Sequence, residues 1–307
     1  MVAAQRAETF NLIRCTVGPV VVGFDLDRVV GVERGERLAP CPAVPGSVGR
    51  IANRAGEWVV YPLAWWLGSE PGNPRAGQVV LFETPHGRFG LAVDRVSPSV
   101  RVERKRVSPP PRSIGPVAAA LIAGVAVLDS GPLVLLDPDH LDPTAPELPE
   151  RPVRKHRPPA PARRGASGRL LAIGCDAQEG CPGRPVVLCL PSENVVEVIG
   201  LGNVTPVPTG EDHVRGLIEW RGRPIPVLDP ARWVGLATTD AAAVRGVVAT
   251  VAGVRVALTT GSDVRLISAD APIIPARRQL GVRVERTLGV FDTTDATLVI
   301  PDWEQLV

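Results

Sequence analysis

Leu133-Val134-Leu135-Leu136-Asp137-Pro138-Asp139-His140-Leu141 returns as Leu298-Val299-Ile300-Pro301-Asp302-Trp303-Glu304-Gln305-Leu306, 165 residues further along. Working inward, the segment Arg54 to Gly68 ends in Trp66-x-Gly68, and Arg221 to Gly235 ends in Trp233-x-Gly235, at an offset of 167. Val29-Val30 matches Val195-Val196, and Pro40-x-Pro42 matches Pro206-x-Pro208, both at 166. An offset that stays nearly constant along the chain means duplication of an entire domain. Solenoids repeat about every 20–50 residues instead.

Between the copies lies PTAPELPERPVRKHRPPAPARRGASG, Pro143 to Gly168, with seven prolines, six Lys/Arg and almost nothing apolar. Such a stretch lacks the surface to bury a core, and the expectation is an extended, disordered spacer. The expected organisation is one domain over 10–142, a linker over 143–168 and a second domain over 169–307. Within each copy, short Val-rich runs alternate with tight turns. Gln78–Thr84 and Arg88–Val96 flank Pro85-His86-Gly87, while Gly246–Val251 and Val254–Thr259 flank Ala252-Gly253. Both read as β-hairpins. Turn residues recur every ten or so positions and long helical periodicity is missing, so the expected class is all-β, built of small barrels. Short helical turns are expected at Leu63–Leu67, at Ala231–Val234 and in the two terminal Pro-Asp segments.

Composition narrows the function. A hydrophobic share of 45% supports real cores, and a net charge of +2 gives no global pull toward nucleic acid or anionic membranes. No apolar run reaches the roughly 18 residues of a membrane span, and MVAAQRAETF lacks a signal-peptide core, so a cytoplasmic location is expected. The five cysteines are odd in number and scattered, which reads as small buried residues or free thiols rather than disulfides. Cys175-x5-Cys181 is the nearest approach to a metal pair, but nothing completes a tetrahedral set, so no metal or cofactor is expected. Nucleophile-elbow, Walker and dinucleotide motifs are absent, and the Asp pairs Asp25-x-Asp27 and Asp137-x-Asp139 read as solvated turns. No enzyme is expected. Trp66 and Trp233, at matched positions, are expected in the cores, whereas Trp220 before Arg221-Gly222 is expected at the surface.

Val214-Arg215-Gly216-Leu217-Ile218-Glu219-Trp220-Arg221-Gly222-Arg223-Pro224-Ile225-Pro226-Val227-Leu228-Asp229 resembles the V-x-G-x-x-N-x-R-G-x-x-I-P-V-x-D-L core of the CheW family, with Glu219 in place of Asn and Pro230 in place of Leu. Upstream, Val195-Val196-Glu197-Val198 is similar to the family's V-x-E-V strand. In the first copy, Gly87 to Val96 resembles the family's G-x-x-x-G-L-x-V-D-x-V hairpin. Its Arg-Gly turn is degenerate (Arg54-Ala55-Gly56, with Pro62 for Asp), and Gly31 stands where the Glu belongs. The second copy has the complementary defect, Thr260 for the hairpin Asp.

The resemblance implies two tandem CheW-like domains, each a pair of five-stranded SH3-like β-barrels. It also implies a non-enzymatic adaptor that couples chemoreceptors of the methyl-accepting type to a CheA-like histidine kinase, meeting membranes only through the receptors. The residues it nominates for partner binding are Val195, Glu197, Val198, Trp220, Arg221 and Gly222, with Arg54 as the first-copy counterpart. An Arg-Gly turn bends the backbone sharply while projecting a guanidinium suited to carboxylates, and Glu197 is the expected partner of Arg221. The competing reading is an SH3/OB-like barrel that binds nucleic acid. Aromatics make up only 4% of the chain, which leaves no stacking platform for bases, and no nucleic-acid partner is expected.

Overall fold

The computed structural model describes residues 9–41, 43–85, 87–141, 168–174, 185–208, 211–236, 245–261, 264–269, 273–275 and 281–307. The expected linker lies almost wholly outside them. So do the Cys175–Cys181 pair, His86 and His156. Gly168, the last residue assigned to that linker, opens a strand.

Eleven strands build the first half: β1 (Thr9–Val17), β2 (Val20–Asp25), β3 (Val29–Arg34), β4 (Gly49–Asn53), β5 (Gly56–Pro62), β6 (Gln78–Thr84), β7 (Gly87–Val93), β8 (Arg95–Glu103), β9 (Val107–Ser108), β10 (Ile122–Leu128) and β11 (Gly131–Leu136). They form two sheets, ordered β3-β6-β7-β5-β4 and β8-β1-β2-β11-β10-β9. The inner strands β3–β7 make one sheet, and strands from both ends of the half make the other.

The described residues of the second half form ten: β12 (Gly168–Gly174), β13 (Val186–Pro191), β14 (Val195–Gly200), β15 (Val214–Trp220), β16 (Arg223–Leu228), β17 (Arg245–Val251), β18 (Val254–Thr260), β19 (Val264–Ala269), β20 (Thr287–Asp292) and β21 (Thr297–Pro301). Its sheets run β14-β17-β18-β16-β15 and β19-β12-β13-β21-β20. Strand for strand this is the order of the first half without β9. Even the parallel pairs recur: β5 beside β7 and β11 beside β2, then β16 beside β18 and β13 beside β21. By compactness the chain divides into Met1–Pro152 with Thr205–Gly210 and Glu219–Pro224, and the remainder.

Three of the four sheets close where their end strands meet through a short bridge. Ala39, beyond β3, bridges to Arg50 on β4; β9, beyond β8, pairs with β10; Ile274, beyond β19, bridges to Val290 on β20. Curling encloses one apolar face per sheet. Ile51, Trp58, Val60, Val79 and Leu81 fill the inner barrel of the first half, and Leu12, Val102, Ala126, Leu133 and Leu135 fill the outer one. Leu170, Cys189, Phe291, Leu298 and Ile300 do the same for the outer barrel of the second half. β6 is buried on both faces at Val79–Phe82 because its far side meets the neighbouring barrel, where Phe82 packs on Phe24 of β2 with ring centroids 4.9 Å apart.

Trp66 and Trp233 are buried as expected, and so is Trp303, whose indole donates to the Cys189 carbonyl at 2.9 Å. Two points differ from the sequence reading. The outer sheet of the first half has six strands rather than five, because β9 adds a two-residue pairing. Pro116–Leu121 forms an α-helix (α1), and this Ala-rich segment has no long period to announce it. Among the described residues, no helix is long and apolar enough to cross a membrane.

Candidate functional site

Two features of the second half carry the nominated residues. The first is β14. Its residues alternate between half-buried and exposed: Val195, Glu197 and Ile199 lie on one side, Val196, Val198 and Gly200 on the other. A bulge between Val195 and Glu197 interrupts the ladder, with Val195 opposite Ala249 and Glu197 opposite Val248. Val196 and Val198 are 38% and 49% exposed. In the first half β3 repeats the device, with a bulge between Val29 and Gly31 and with Val30 and Val32 at 46% and 40% exposed. Among the described residues most other strand valines are buried or half-buried and only Val21, at 36%, is exposed like these, so a valine pair turned outward at the same place twice needs a reason.

The second feature is the turn joining β15 to β16. Arg221 (φ 51°) and Gly222 (φ 75°) are both left-handed, the conformation a tight two-residue hairpin requires. Glycine adopts it freely. Arginine does so at a cost of about 1–2 kcal/mol, partly offset here because its guanidinium carbon stacks 4.5 Å from the Trp220 ring centroid. Trp220 is therefore half-buried rather than fully presented to solvent, while Arg221 and Gly222 are exposed.

The first-half turn is built differently. Arg54 is exposed, and Asn53 shapes the bend by accepting from the Ala55 N–H at 2.9 Å. The Asn53 carboxamide also accepts from the Trp58 indole and donates to Glu33, so an asparagine network replaces the left-handed Arg-Gly pair. Arg88 of β7 donates to the Ala55 carbonyl at 3.0 Å.

The other departures from the family pattern have local consequences. Asp229 accepts from the Arg232 N–H at 3.1 Å and caps an α-helix, α2 (Pro230–Val234), which ends at left-handed Gly235. Pro62, in its place, caps nothing, and the first half makes only a 3-10 turn at Leu63–Trp65. Asp94 accepts from the Gly18 N–H at 2.7 Å and secures the two-residue β1–β2 turn. The register places Gly261 rather than Thr260 at the equivalent position, since Thr260 pairs with Arg245 as Val93 pairs with Gln78, and the connection from β12 to β13 spans eleven residues, 175–185. The acid is lost where the tight turn it serves has been lengthened.

Among the described residues no group of three or more His, Cys, Asp or Glu could hold a metal ion. Burial pushes the Cys15 and Cys189 thiols up to about 12, the direction opposite to that of an activated nucleophile.

The CheW-like domain model matches residues 11–143 and again 183–307. The chain is 25% identical over 142 residues to the chemotaxis protein CheW of Treponema pallidum (strain Nichols), an alignment covering 44% of this chain and 82% of that protein. The crystal structure of the scaffolding protein TtCheW from Thermoanaerobacter tengcongensis aligns with a TM-score of 0.37 at 21% identity, covering 42% of this chain and 88% of that one. With the two matched segments spanning most of its length and the same strand order in each half, the chain belongs to the CheW family and carries two CheW-like domains.

Proposed function

We propose that this protein is a non-enzymatic coupling scaffold of a chemotaxis-type signalling pathway, joining chemoreceptors to a CheA-like histidine kinase through docking surfaces. The observation that carries this reading is the outward valine pair, Val196 and Val198 on β14, repeated as Val30 and Val32 on β3. Exposed apolar pairs on otherwise well-buried barrels suit a partner's apolar face, since burying them recovers about 25 cal/mol per Å². The Arg221-Gly222 turn adds an exposed guanidinium whose planar fork suits a carboxylate. The family match and the chemotaxis protein CheW of Treponema pallidum support the pathway.

Binding of the full-length protein to its CheA-like kinase and to a receptor signalling fragment tests the reading. Val196→Asp with Val198→Asp removes the apolar pair without touching a core, and at least one of the two affinities is expected to fall about tenfold or more. Unchanged affinity for both partners, with the melting temperature preserved, would refute the assignment.

A further inference from the structure

The β8–β9 connection of the first half is a basic, exposed surface. Arg101 lies two residues before the end of β8, and Arg104–Arg106 form a one-turn 3-10 helix whose three side chains are all exposed. Four cations stand there against two carboxylates, Glu103 and Asp129. Lys105 pairs with Glu103 at 2.6 Å and Arg106 with Asp129 at 3.0 Å, and the Lys105 hydrogen bond holds the Glu103 carboxyl below its usual range. Arg104 lies with its guanidinium carbon 4.8 Å from the Phe10 ring centroid, and Arg101 donates to Asn11 at 3.4 Å. Ion pairs this exposed add little stability, so the fold does not account for the charge.

The duplicated architecture supplies an internal control. Val100 lies opposite Leu12 and Ile267 opposite Leu170; Leu12 and Leu170 lie opposite Asp25 and Pro191, each directly before a three-residue 3-10 turn. Counting on from Val100 and Ile267, Arg101 corresponds in sequence to Ser268; counting back from Ser108, opposite Val125, and Ile274, opposite Val290, Arg104, Lys105 and Arg106 correspond to Asp270, Ala271 and Pro272. The second copy carries no cation at any of the four positions. The matching stretch of sequence is thus basic in one copy and without a cation in the other.

We propose that the Arg101–Arg106 turn is a docking surface for an acidic protein segment, giving the first half a partner chemistry that the second half lacks. Arginine presents a rigid fork to carboxylates, and the contact with Phe10 holds the Arg104 plane in place. Glu103 and Asp129 neutralise half the charge and would sit against a phosphate backbone, and the surface offers no row of aromatic rings for bases. Both points favour a short run of Asp and Glu over nucleic acid or an anionic membrane. This inference does not depend on the docking role assigned to β14 or to the Arg221 turn.

The test uses the full-length protein and a fluorescein-labelled octaglutamate peptide, followed by anisotropy at low ionic strength, where such contacts are least screened. Saturable binding is expected, weakened about tenfold or more by R104E/K105E and also by R101E, each at exposed positions. R163S/R164S, which removes two cations outside this turn, is expected to leave binding unchanged. Failure to bind the peptide overturns the proposal, as do equal binding by the turn variants and a loss that follows R163S/R164S instead. Tighter binding of duplex DNA or phosphatidylserine vesicles, abolished by the same turn variants, also overturns it and reassigns the surface.

Discussion

Gly77 and Gly222 show how differently two glycines of one chain are constrained. A Cβ on Gly77 would lie 2.2 Å from the Val93 carbonyl oxygen, a backbone atom that cannot yield without disturbing β7. Around Gly222 nothing lies within 4 Å, and only its φ of 75° resists a side chain. Gly77→Ala is therefore expected to cost about 2–3 kcal/mol and Gly222→Ala about 1–2 kcal/mol, read as shifts in the urea midpoint. Arg221 occupies the same left-handed region. Replacing it with glycine relieves strain but loses the stack on Trp220, so Arg221→Gly is expected to stay within about 1 kcal/mol of the parent stability. On the docking reading the same variant weakens partner binding, so stability and affinity separate at this residue. The Arg-Gly dipeptide was legible in the sequence. That Trp220 serves as the platform for its neighbour was not, because stacking depends on a side-chain direction that spacing alone does not specify.

At the scale of elements, the short helix after β16 is the clearest case of a single residue choosing a local structure. Asp229 meets the Arg232 N–H and Pro230 occupies the first helical position, so Pro230–Val234 winds as an α-helix, whereas Pro62 in the first half supports only a 3-10 turn. Asp229→Ala is expected to cost about 1 kcal/mol and to lower helical content slightly, measured by denaturation and far-ultraviolet circular dichroism. Both helical turns were expected from the sequence, at Leu63–Leu67 and Ala231–Val234; their difference in kind follows from the cap. β3 and β14 were readable as strands. Which of their alternating residues faces outward was not, since alternation defines two faces and only the neighbouring strands β6 and β17 decide which one the core takes.

For the whole molecule, among the described residues each half buries one thiol that reports on its integrity. Cys15 lies in β1 and Cys189 in β13, both held at about 12 by burial, against 9.0 for the free group. A folded value raised above the unfolded one means the native state keeps its proton where the unfolded chain has lost it. These thiols therefore contribute a loss of stability as pH rises above about 9, and none below it. At pH 8 neither is expected to react with a thiol reagent until its half opens. With the other three cysteines replaced by serine, Trp58→Ala is expected to lower the denaturant midpoint for Cys15 labelling, since it removes the largest side chain of the first-half cores, a change worth about 3–5 kcal/mol. Leu258→Ala is expected to do the same for Cys189, at about 2–5 kcal/mol. Identical shifts of both thiols in both variants would show instead that the chain unfolds as one unit.

The amino-acid order alone established the duplication, the all-β character, the tight hairpins, the burial of Trp66 and Trp233, and the motif residues of the second copy. All of these are encoded locally, in turn chemistry, periodicity and repeated words. Tertiary structure alone decided that β1 and β2 pair with strands from the far end of their own half while β3–β7 curl into a separate barrel. It also decided which valines turn outward and that the basic turn at Arg104 is exposed. The physical reason is that strand partnership and exposure arise from contacts between residues distant in sequence, chosen by which apolar faces can be enclosed together, and no short window of the chain contains both sides of such a contact.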